Sequence, residues 1–364
     1  HSDEVWRRTD PEFVRPENQK VVVPQSTYEV LPAGSQAPKG IVWGPVHEHE
    51  QAFTSKLHSV EDLKKANFFS TLNAAVFAGG TFLQVDKDVS TGDTALCVHH
   101  HFKEAGLAAP RSYLEVGAGS SVTLIEYFTA DSPEILAAPS VEVHVKAGAK
   151  FRYVFVNLWN DTARVVPTVH AKVEKDGYFQ MLFAGLGTRL TKAFFESDLV
   201  GEGSKSEGLG LVLGQGRQHY DVDAQQNHRV GKTVSDVLFH IALTERARSV
   251  FAGNILCEPS AQGIDGYQQN RNLLLSDKAR ADSMPRLEIE ANDVRCTHGA
   301  SFATYDADQR FYLQSRGMTA YDAELLLVTG FFSAVIERLQ HELVSQWLTE
   351  KLDIKMAKAL AKGV

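Results

Sequence analysis

Alternating apolar and polar residues dominate the middle of the chain. Between about Thr81 and Leu313, inward and outward positions switch at successive residues, as in Leu114–Val116 and Val143–Val145. A period of two is typical of β-strands. The sequence therefore predicts a mainly β core over residues 81–317 with almost no helix in it.

A weak repeat divides this core into units of slightly under 30 residues. A valine followed by a turn of small residues recurs at Val116, Val145, Val173 and Val200, with spacings of 29, 28 and 27 residues. Repeats of about 20–50 residues built only from strands and tight turns are typical of a solenoid, whose coils stack on one another. A β-propeller needs about 40–50 residues per blade, and a β-sandwich needs no repeat. The favoured fold is therefore a β-helix.

The beginning of the chain has a different pattern. Six prolines lie within residues 1–60, which predicts an extended or loosely packed leader. A short helix is expected from Ser59 to about Phe77, because apolar residues recur there at helical spacing and Gly79–Gly80 follows. Residues 1–80 are therefore expected to form an extended and helical N-terminal region.

The end of the chain is expected to be helical over residues 318–364. Thr319 suits an N-cap, and Asp322 stands at the third position after it. One apolar helix face is predicted to follow, formed by Ala323, Leu326, Leu327, Gly330, Phe331, Ala334, Val335 and Leu339.

A second helical segment, from about Leu343 to Leu360, carries regularly spaced lysines. Lys351, Lys355, Lys358 and Lys362 recur at four- and three-residue spacing, which predicts a single polar stripe. Such a stripe is either a solvated helix face or a docking surface for an acidic partner.

Composition and charge narrow the function classes. The 364 residues are 43% hydrophobic and 23% charged, as in a globular protein and unlike a disordered one. The net charge of −8 argues against a general binder of nucleic acid or anionic membranes. No apolar run is long enough to span a bilayer, and no basic start precedes an apolar stretch, so a cytoplasmic location is expected.

Cysteine is sparse. The chain has three cysteines, Cys97, Cys257 and Cys296. An odd count this small excludes a disulfide framework and a four-cysteine metal site within one chain. Any metal must therefore be held by mixed ligands or with help from another chain.

The first candidate site is the run from Cys97 to His101. On a strand, Cys97, His99 and His101 share one face and His100 points the other way. With ligands from neighbouring coils these residues could bind a metal, which makes a β-helix metal-binding or carbohydrate-active enzyme one hypothesis. The alternative is that they are surface and turn histidines. No nucleophile elbow, phosphate loop or dinucleotide motif supports an enzyme.

The second candidate site is the segment Asp293–Ser301. Cys296 and His298 are two residues apart, so they face the same way on an extended strand. A nearby imidazolium or Arg295 would favour the thiolate of Cys296. The alternative is a small buried cysteine beside an incidental histidine.

Ordered segments of the chain resemble the SufB/SufD family of iron–sulfur cluster assembly scaffolds. The resemblance covers about residues 60–345, and its cysteine segment is more similar to SufD than to SufB. The segments that carry it are Phe69–Ala75, Gly80–Leu83, Ala247–Gly253, Gln268–Ser276, Pro285–Ile289, Asp293–Ser301, Gln309–Gly317 and Gly330–Phe331.

This resemblance implies a right-handed parallel β-helix between helical ends and a subunit that is not an enzyme. It implies pairing with SufB through the β-helix and binding of the SufC ATPase through residues 318–364. A homodimer is the alternative for the isolated chain.

The resemblance also implies site residues. Cys296 and His298 match residues that contribute to a nascent cluster at the SufB–SufD interface, so the expected ligand is a transient iron–sulfur cluster with no tightly bound cofactor. The residues expected to contact SufC are Ala323, Leu327, Gly330, Phe331 and Val335.

Overall fold

The computed structural model of the chain describes residues 6–16, 19–56, 67–304 and 307–360. The predicted helix start at Ser59 lies outside these ranges. The α-helices are α1 (Glu50–Lys56), α2 (Phe68–Val76), α3 (Ala307–Ser315), α4 (Ala320–Ile336) and α5 (Glu342–Leu360). Short 3₁₀ helices span Pro11–Val14, Val46–Glu48 and Glu337–Leu339.

Two long sheets contain the strands. The first sheet has 13 strands: β1 (Val21–Val22), β3 (Ile41–Pro45), β4 (Thr81–Val85), β6 (Gly106–Ala108), β7 (Arg111–Val116), β9 (Ile135–Ala137), β10 (Ser140–Val145), β12 (Arg164–Val165), β13 (Thr168–Val173), β15 (Leu190–Leu199), β17 (His219–His228), β19 (Arg248–Cys257) and β21 (Arg280–Ile289). The second has nine: β2 (Gln25–Leu31), β5 (Ala95–Phe102), β8 (Ser121–Ala130), β11 (Lys150–Asn157), β14 (Tyr178–Gly185), β16 (Lys205–Gly214), β18 (Val234–Leu243), β20 (Ile264–Leu274) and β22 (Val294–Thr304).

The chain passes from one sheet to the other and back, so strands of successive coils pair in parallel. β11, for example, pairs in parallel with β8 before it and β14 after it. The result is a parallel β-solenoid of about 8 turns, preceded by a short N-terminal region and followed by helices. The predicted fold class is confirmed.

The sequence repeat matches the coil register, with one slip. Val116, Val145 and Val173 occupy paired positions in β7, β10 and β13. The next paired position is Leu199 and not Val200. Val200 already lies one residue past the strand, where its amide donates to the carbonyl of Val173. The fourth unit of the predicted repeat is therefore displaced by one residue.

The N-terminal leader is more ordered than its prolines suggest. β2 pairs antiparallel with β5, β3 pairs antiparallel with β4, and β1 pairs in parallel with β6, so the leader adds two strands to the first sheet and one to the second. Pro24 and Pro32 flank β2 and leave its hydrogen bonds intact. Of the two alternatives, an extended or a loosely packed leader, these strands have the extended form.

Aromatic side chains fill the interior of the solenoid. The ring centroids of Phe128 and Phe155 are 4.9 Å apart, and those of Phe155 and Phe183 are 6.1 Å apart. Phe102 and Phe128 both stack on Trp159. Side chains one coil apart therefore form a continuous ladder, as expected where every coil buries its neighbour.

α4 and α5 pack on the outer face of the second sheet. Asp322 N donates to Thr319 Oγ1 over 3.1 Å, which confirms the predicted N-cap of α4. The predicted apolar face is partly wrong, because Val328 and Phe332 are buried while Leu326 is 51% exposed. α4 is apolar around most of its circumference, so the pattern could not identify the face that packs.

The predicted lysine stripe of α5 is wrong at Lys355, and its last member, Lys362, lies outside the described residues. Lys355 is buried, and its Nζ donates to Gln218 Oε1 over 3.4 Å and lies 3.8 Å from Asp161 Oδ1. Lys351 lies over the ring of Trp347. Lys355 therefore fixes α5 to the solenoid and is not part of a solvated face.

The last strand ends at Thr304, before the predicted end of the period-two pattern at Leu313. Helix α3 occupies Ala307–Ser315 instead. Alternation over Phe311–Leu313 is too short to distinguish a strand from a helix. Within the described ranges, no helix has the length and apolar character needed to cross a bilayer.

Candidate functional site at the open end of the solenoid

The solenoid ends in two strands that each have a free edge. β21 pairs with β19 alone, and β22 is the last strand in the order of the second sheet. Several apolar side chains remain open to solvent here, including Ile289 at 42% and Phe302 at 52% exposure. In the part of the chain that the structure describes, nothing covers this end, and a free strand edge with apolar side chains is a template for pairing with another chain.

The register of β20 and β22 places Cys296 and His298 on the inward side of the last coil. Cys296 pairs with Gly266, and His298 pairs with Gln268. Gly266 and Gln268 are buried, whereas Tyr267 between them is exposed. Since side chains alternate along a strand, Cys296 and His298 point the same way, as the sequence predicted.

A second cysteine lies beside Cys296. Cys257, at the end of β19 in the opposite sheet, places its Sγ 3.7 Å from Cys296 Sγ. Ile255 and Ile264 pack around the two thiols. The sequence reasoning missed Cys257, although its place at a strand end, about one coil before the end of the solenoid, was a signal.

Gly266 leaves the space that Cys296 occupies. A Cβ at this position would lie 3.3 Å from Cys296 Sγ and 3.3 Å from Ile255. That separation is tighter than ordinary van der Waals contact, so a side chain at position 266 would push against the thiol.

Both thiols favour their protonated form. Burial raises the pKa of Cys257 to about 12, with Cys296 adding to the shift, and burial also raises the pKa of Cys296. Arg295 does not counteract this, because it points outward and lies 3.8 Å from Asp265 Oδ2. For Cys296, any effect of Arg295 or an imidazolium on the pKa is therefore smaller than the effect of burial.

His298 is exposed at the open end. Its strand partner Gln268 uses its side chain internally, since Gln268 Nε2 donates to the carbonyl of Arg286 over 3.0 Å. Among the described residues, His298 has no hydrogen-bonding partner. Its imidazole is therefore free to bind a metal or a group on another chain.

The other candidate, Cys97 with His99 and His101, does not form a metal site. Cys97 is 1% exposed and belongs to the core between the second sheet and the C-terminal helices. Within the described ranges, the three side chains do not bring their ligand atoms together. His99 and His101 are instead both hydrogen-bonded to Thr129 Oγ1, at 2.6 and 2.8 Å.

His100 points to the other side of the strand, as predicted, and enters the core. Its Nε2 lies 2.8 Å from Glu126 Oε1, and both side chains are fully buried. Thr81, Ser112 and Tyr153 donate to the same carboxylate. Burial alone would raise the pKa of Glu126, but the hydrogen bonds from His100 and the hydroxyls lower it. All of these donors are buried residues of the same chain, so the network has a structural role.

One group in the described residues has metal-binding geometry: His170, Glu196 and Asp198 on the outer face of the first sheet. The sequence reasoning did not identify it, since its members come from two strands. Asp198 already accepts from His170 Nε2 at 2.7 Å, from Asn227 at 3.0 Å and from Arg229 at 2.7 Å. These contacts satisfy the carboxylate without a metal.

The residues expected to contact SufC differ in their exposure to solvent. Ala323 and Val335 are buried, Leu327 and Phe331 are partly buried, and Gly330 is exposed. Ala323 and Val335 therefore hold α4 against the chain itself, and the surface open to a partner is formed by their neighbours.

Phe331 joins α4 to the second sheet. His240 stacks on the Phe331 ring with 4.5 Å between centroids, and His240 Nδ1 donates to the Phe331 carbonyl over 2.6 Å. Arg338, after α4, forms ion pairs with Glu207 and Asp236 of neighbouring strands. The helices are therefore fixed to the coils by polar as well as apolar contacts.

Comparison with known proteins gives one family. The family model "SUF system FeS cluster assembly, SufBD core domain" matches residues 99–331. An iron–sulfur cluster assembly SufBD family protein of Mycobacterium leprae is 33% identical over 210 residues, which cover 56% of this chain and 54% of the relative.

Two further relatives carry the same description. The Synechocystis protein is 29% identical over 244 residues, covering 64% of this chain and 53% of its own length. The Staphylococcus saprophyticus protein is 26% identical over 311 residues, covering 84% of this chain and 66% of its own length. The chain thus spans between about half and two thirds of the length of these relatives.

Proposed function

Because this chain belongs to the SufBD family of iron–sulfur cluster assembly proteins, we propose that it is a non-catalytic, SufD-type subunit of an assembly scaffold. It pairs with SufB through the open end of the solenoid and binds the SufC ATPase through its C-terminal helices. The proposed compartment is the cytoplasm. The family assignment and the free strand edges support this proposal together.

The observation that carries the proposal is the position of Cys296 and His298 at the uncovered end. Thiolate and imidazole are both iron ligands, and both residues lie on β22, whose free edge is where a second chain would pair. Cys257 adds a second thiol 3.7 Å from Cys296. With Cys97 remote in another core, this end is too poor in ligands to hold a cluster alone, so SufB supplies the rest.

The raised pKa values of the two thiols are consistent with a cluster that is bound only transiently. Iron binds the thiolate, so binding at Cys296 releases a proton and loses part of its free energy to deprotonation. At neutral pH this deprotonation lowers the apparent affinity of the two thiols for iron. Weak binding favours transfer to a recipient protein.

SufC binding is assigned to the exposed side of α4 and α5. Leu326 is 51% exposed and Ile354 is 56% exposed, so apolar side chains remain available on both helices. The contacts of Phe331 and Arg338 with the second sheet give a route by which movement of these helices reaches the coils. Nucleotide-driven motion of SufC could thus shift the solenoid between open and closed pairings with SufB.

Co-expression with SufB and SufC, followed by affinity capture of this chain, tests the proposal. Both partners are expected to co-purify in fixed ratio, without turnover by this chain alone. A stable homodimer that excludes SufB would contradict the pairing. Capture of SufB without SufC would contradict the helical docking surface alone.

A further inference from the structure

An arginine-rich cavity of about 480 Å³ lies where the N-terminal leader crosses the first sheet. Six of the residues that line it are arginines: Arg8, Arg164, Arg189, Arg217, Arg246 and Arg248. The chain as a whole has a net charge of −8, so this local cluster of positive charge is opposite in sign to the net charge of the protein. None of the residues of the proposed cluster site takes part in it.

The solenoid register brings these arginines together. Arg164, Leu190, His219 and Arg248 are paired in turn across β12, β15, β17 and β19. Neighbouring strands lie about 4.8 Å apart, so residues in one row are one coil spacing from each other.

A second row runs beside the first. Arg217 and Arg246 each stand two residues before a paired position, His219 and Arg248, so they occupy equivalent turns of successive coils. Like charges at neighbouring positions across a sheet repel each other. The neighbouring guanidinium groups of Arg217 and Arg246 therefore repel each other unless an anion lies between them.

Of the residues that line the cavity, Asp10 is the only one with a negative charge, and one carboxylate cannot neutralise six arginines. Among the described residues, Arg189, Arg217, Arg246 and Arg248 form no ion pair, and Arg164 Nη1 donates to the carbonyl of Phe13 over 3.1 Å.

The carboxylates close to the cavity are already engaged. Asp221 accepts from Lys192 at 2.8 Å and from Thr9, and Asp10 accepts from the amide of Glu12. Asp282 lies 3.8 Å from Arg8.

The pKa of His219 reflects the positive charge around the cavity. Burial, followed by the charges of Arg248, Lys192 and Arg189, lowers the pKa of His219 to about 4. The imidazole is therefore neutral at pH 7, and its Nε2 lies 2.9 Å from Thr9 Oγ1. The electrostatic environment of the cavity therefore disfavours a further cation and favours an anion.

We propose that this cavity binds a small organic ligand that carries a diphosphate or triphosphate group. Arginine presents a planar fork that binds phosphate oxygens in pairs, and several forks favour more than one phosphate. The volume is within the range of about 300–1,000 Å³ typical of sites for organic ligands. Leu190 and the 59% exposed ring of Phe13 provide an apolar wall for the organic part.

Calorimetric titration of the full chain at low salt tests the proposal, with ADP, inorganic pyrophosphate and inorganic phosphate as probes. ADP is expected to bind most tightly and phosphate most weakly. The double variant Arg189→Gln/Arg248→Gln is expected to weaken ADP binding by about tenfold or more, since each guanidinium supplies charge-assisted hydrogen bonds. Arg271→Gln, an exposed arginine on the other sheet, is the matched control and should bind as the unmodified chain does.

Circular dichroism of the double variant shows whether it remains folded. The single variant Arg217→Gln is expected to show the same loss to a smaller degree if the double variant unfolds. Failure of ADP to bind the unmodified chain, or equal binding by the double variant and the control, would overturn the proposal. Binding of a polyglutamate peptide in place of ADP would also overturn it, and pyrophosphate binding as tight as ADP would contradict the organic part.

Discussion

Cys257 and Cys296 come from opposite sheets of the solenoid, yet their Sγ atoms lie 3.7 Å apart. The end of β19 and the start of β22 meet at one corner of the last coil, so two residues 39 positions apart in sequence become neighbours. This pair lies beside the free edge of β22, where His298 is exposed. The three side chains place soft and borderline metal ligands at the end that is open to another chain.

Alkylation of Cys296 is expected to be slow at neutral pH. Burial raises the pKa of its thiol above the ordinary value near 9, so little thiolate is present at pH 7. The rate with iodoacetamide should still be rising above pH 9, where an ordinary cysteine is levelling off. Peptide mass spectrometry measures this, with buried Cys97 as the least labelled control. Rapid labelling at pH 7 with a plateau below pH 9 would contradict the environment described for Cys296.

Removing the buried carboxylate in Glu126→Ala is expected to lower the free energy of unfolding by about 3–5 kcal/mol. The change leaves His100, Thr81 and Tyr153 without their shared acceptor in a fully buried site. Urea denaturation at pH 7 measures the loss. The exposed control Glu134→Ala should stay within about 0.5 kcal/mol of the unmodified chain.

The same carboxylate predicts a pH dependence. The folded-state pKa of Glu126 lies below the ordinary value of 4.5, so its stabilising contribution is present above pH 4.5 and is lost as the pH falls below that value. Glu126→Gln should therefore lose less stability than the unmodified chain between pH 6 and pH 3. Identical acid limbs in thermal melts of the two proteins would show that Glu126 has no such role.

Pairing through the open end predicts that Phe302→Asp prevents capture of SufB. Phe302 is 52% exposed on the terminal strand, and a charge there must be desolvated when another chain covers it. Val42→Asp, at 50% exposure on β3, is the matched control and should leave capture unchanged. Pull-down from co-expressing cells measures both. Undiminished capture by the Phe302 variant would place the interface elsewhere.

Docking of SufC on the C-terminal helices predicts that Leu326→Asp abolishes SufC capture without unfolding the chain. Leu326 is 51% exposed, so the substitution should change stability by less than about 0.5 kcal/mol. Phe332→Ala, by contrast, removes a fully buried ring and should cost about 3–5 kcal/mol. If the Leu326 variant still binds SufC fully, the docking surface does not include this side of α4.

The sequence was sufficient for the solenoid because its signal is repeated in every coil. Val116, Val145 and Val173 each mark the end of a strand before a turn, and they occupy paired positions in successive coils. The slip at Val200 arises because the coils differ in length: the paired positions Val116, Val145, Val173 and Leu199 are 29, 28 and 26 residues apart.

Features that depend on contacts between distant segments could not be predicted, because no local sequence pattern encodes them. Cys257 is one cysteine among apolar residues until the last coil brings it to Cys296. Lys355 has the spacing of a solvated lysine, but it is buried beside the Gln218 and Asp161 side chains of distant loops. The arginine cavity likewise depends on coil register and on the path of the leader.

The iron content of the complex formed with SufB and SufC tests the central proposal most directly. His298→Ala should assemble normally but carry less iron, because it removes an exposed imidazole at the shared end without touching a packed residue. His47→Ala, an exposed histidine of the leader, is the matched control and should load iron fully. Elemental analysis of the three purified complexes after reconstitution gives the answer. Reduced iron in the His298 variant alone is the predicted result, and equal iron in all three complexes would contradict the assignment of the cluster site.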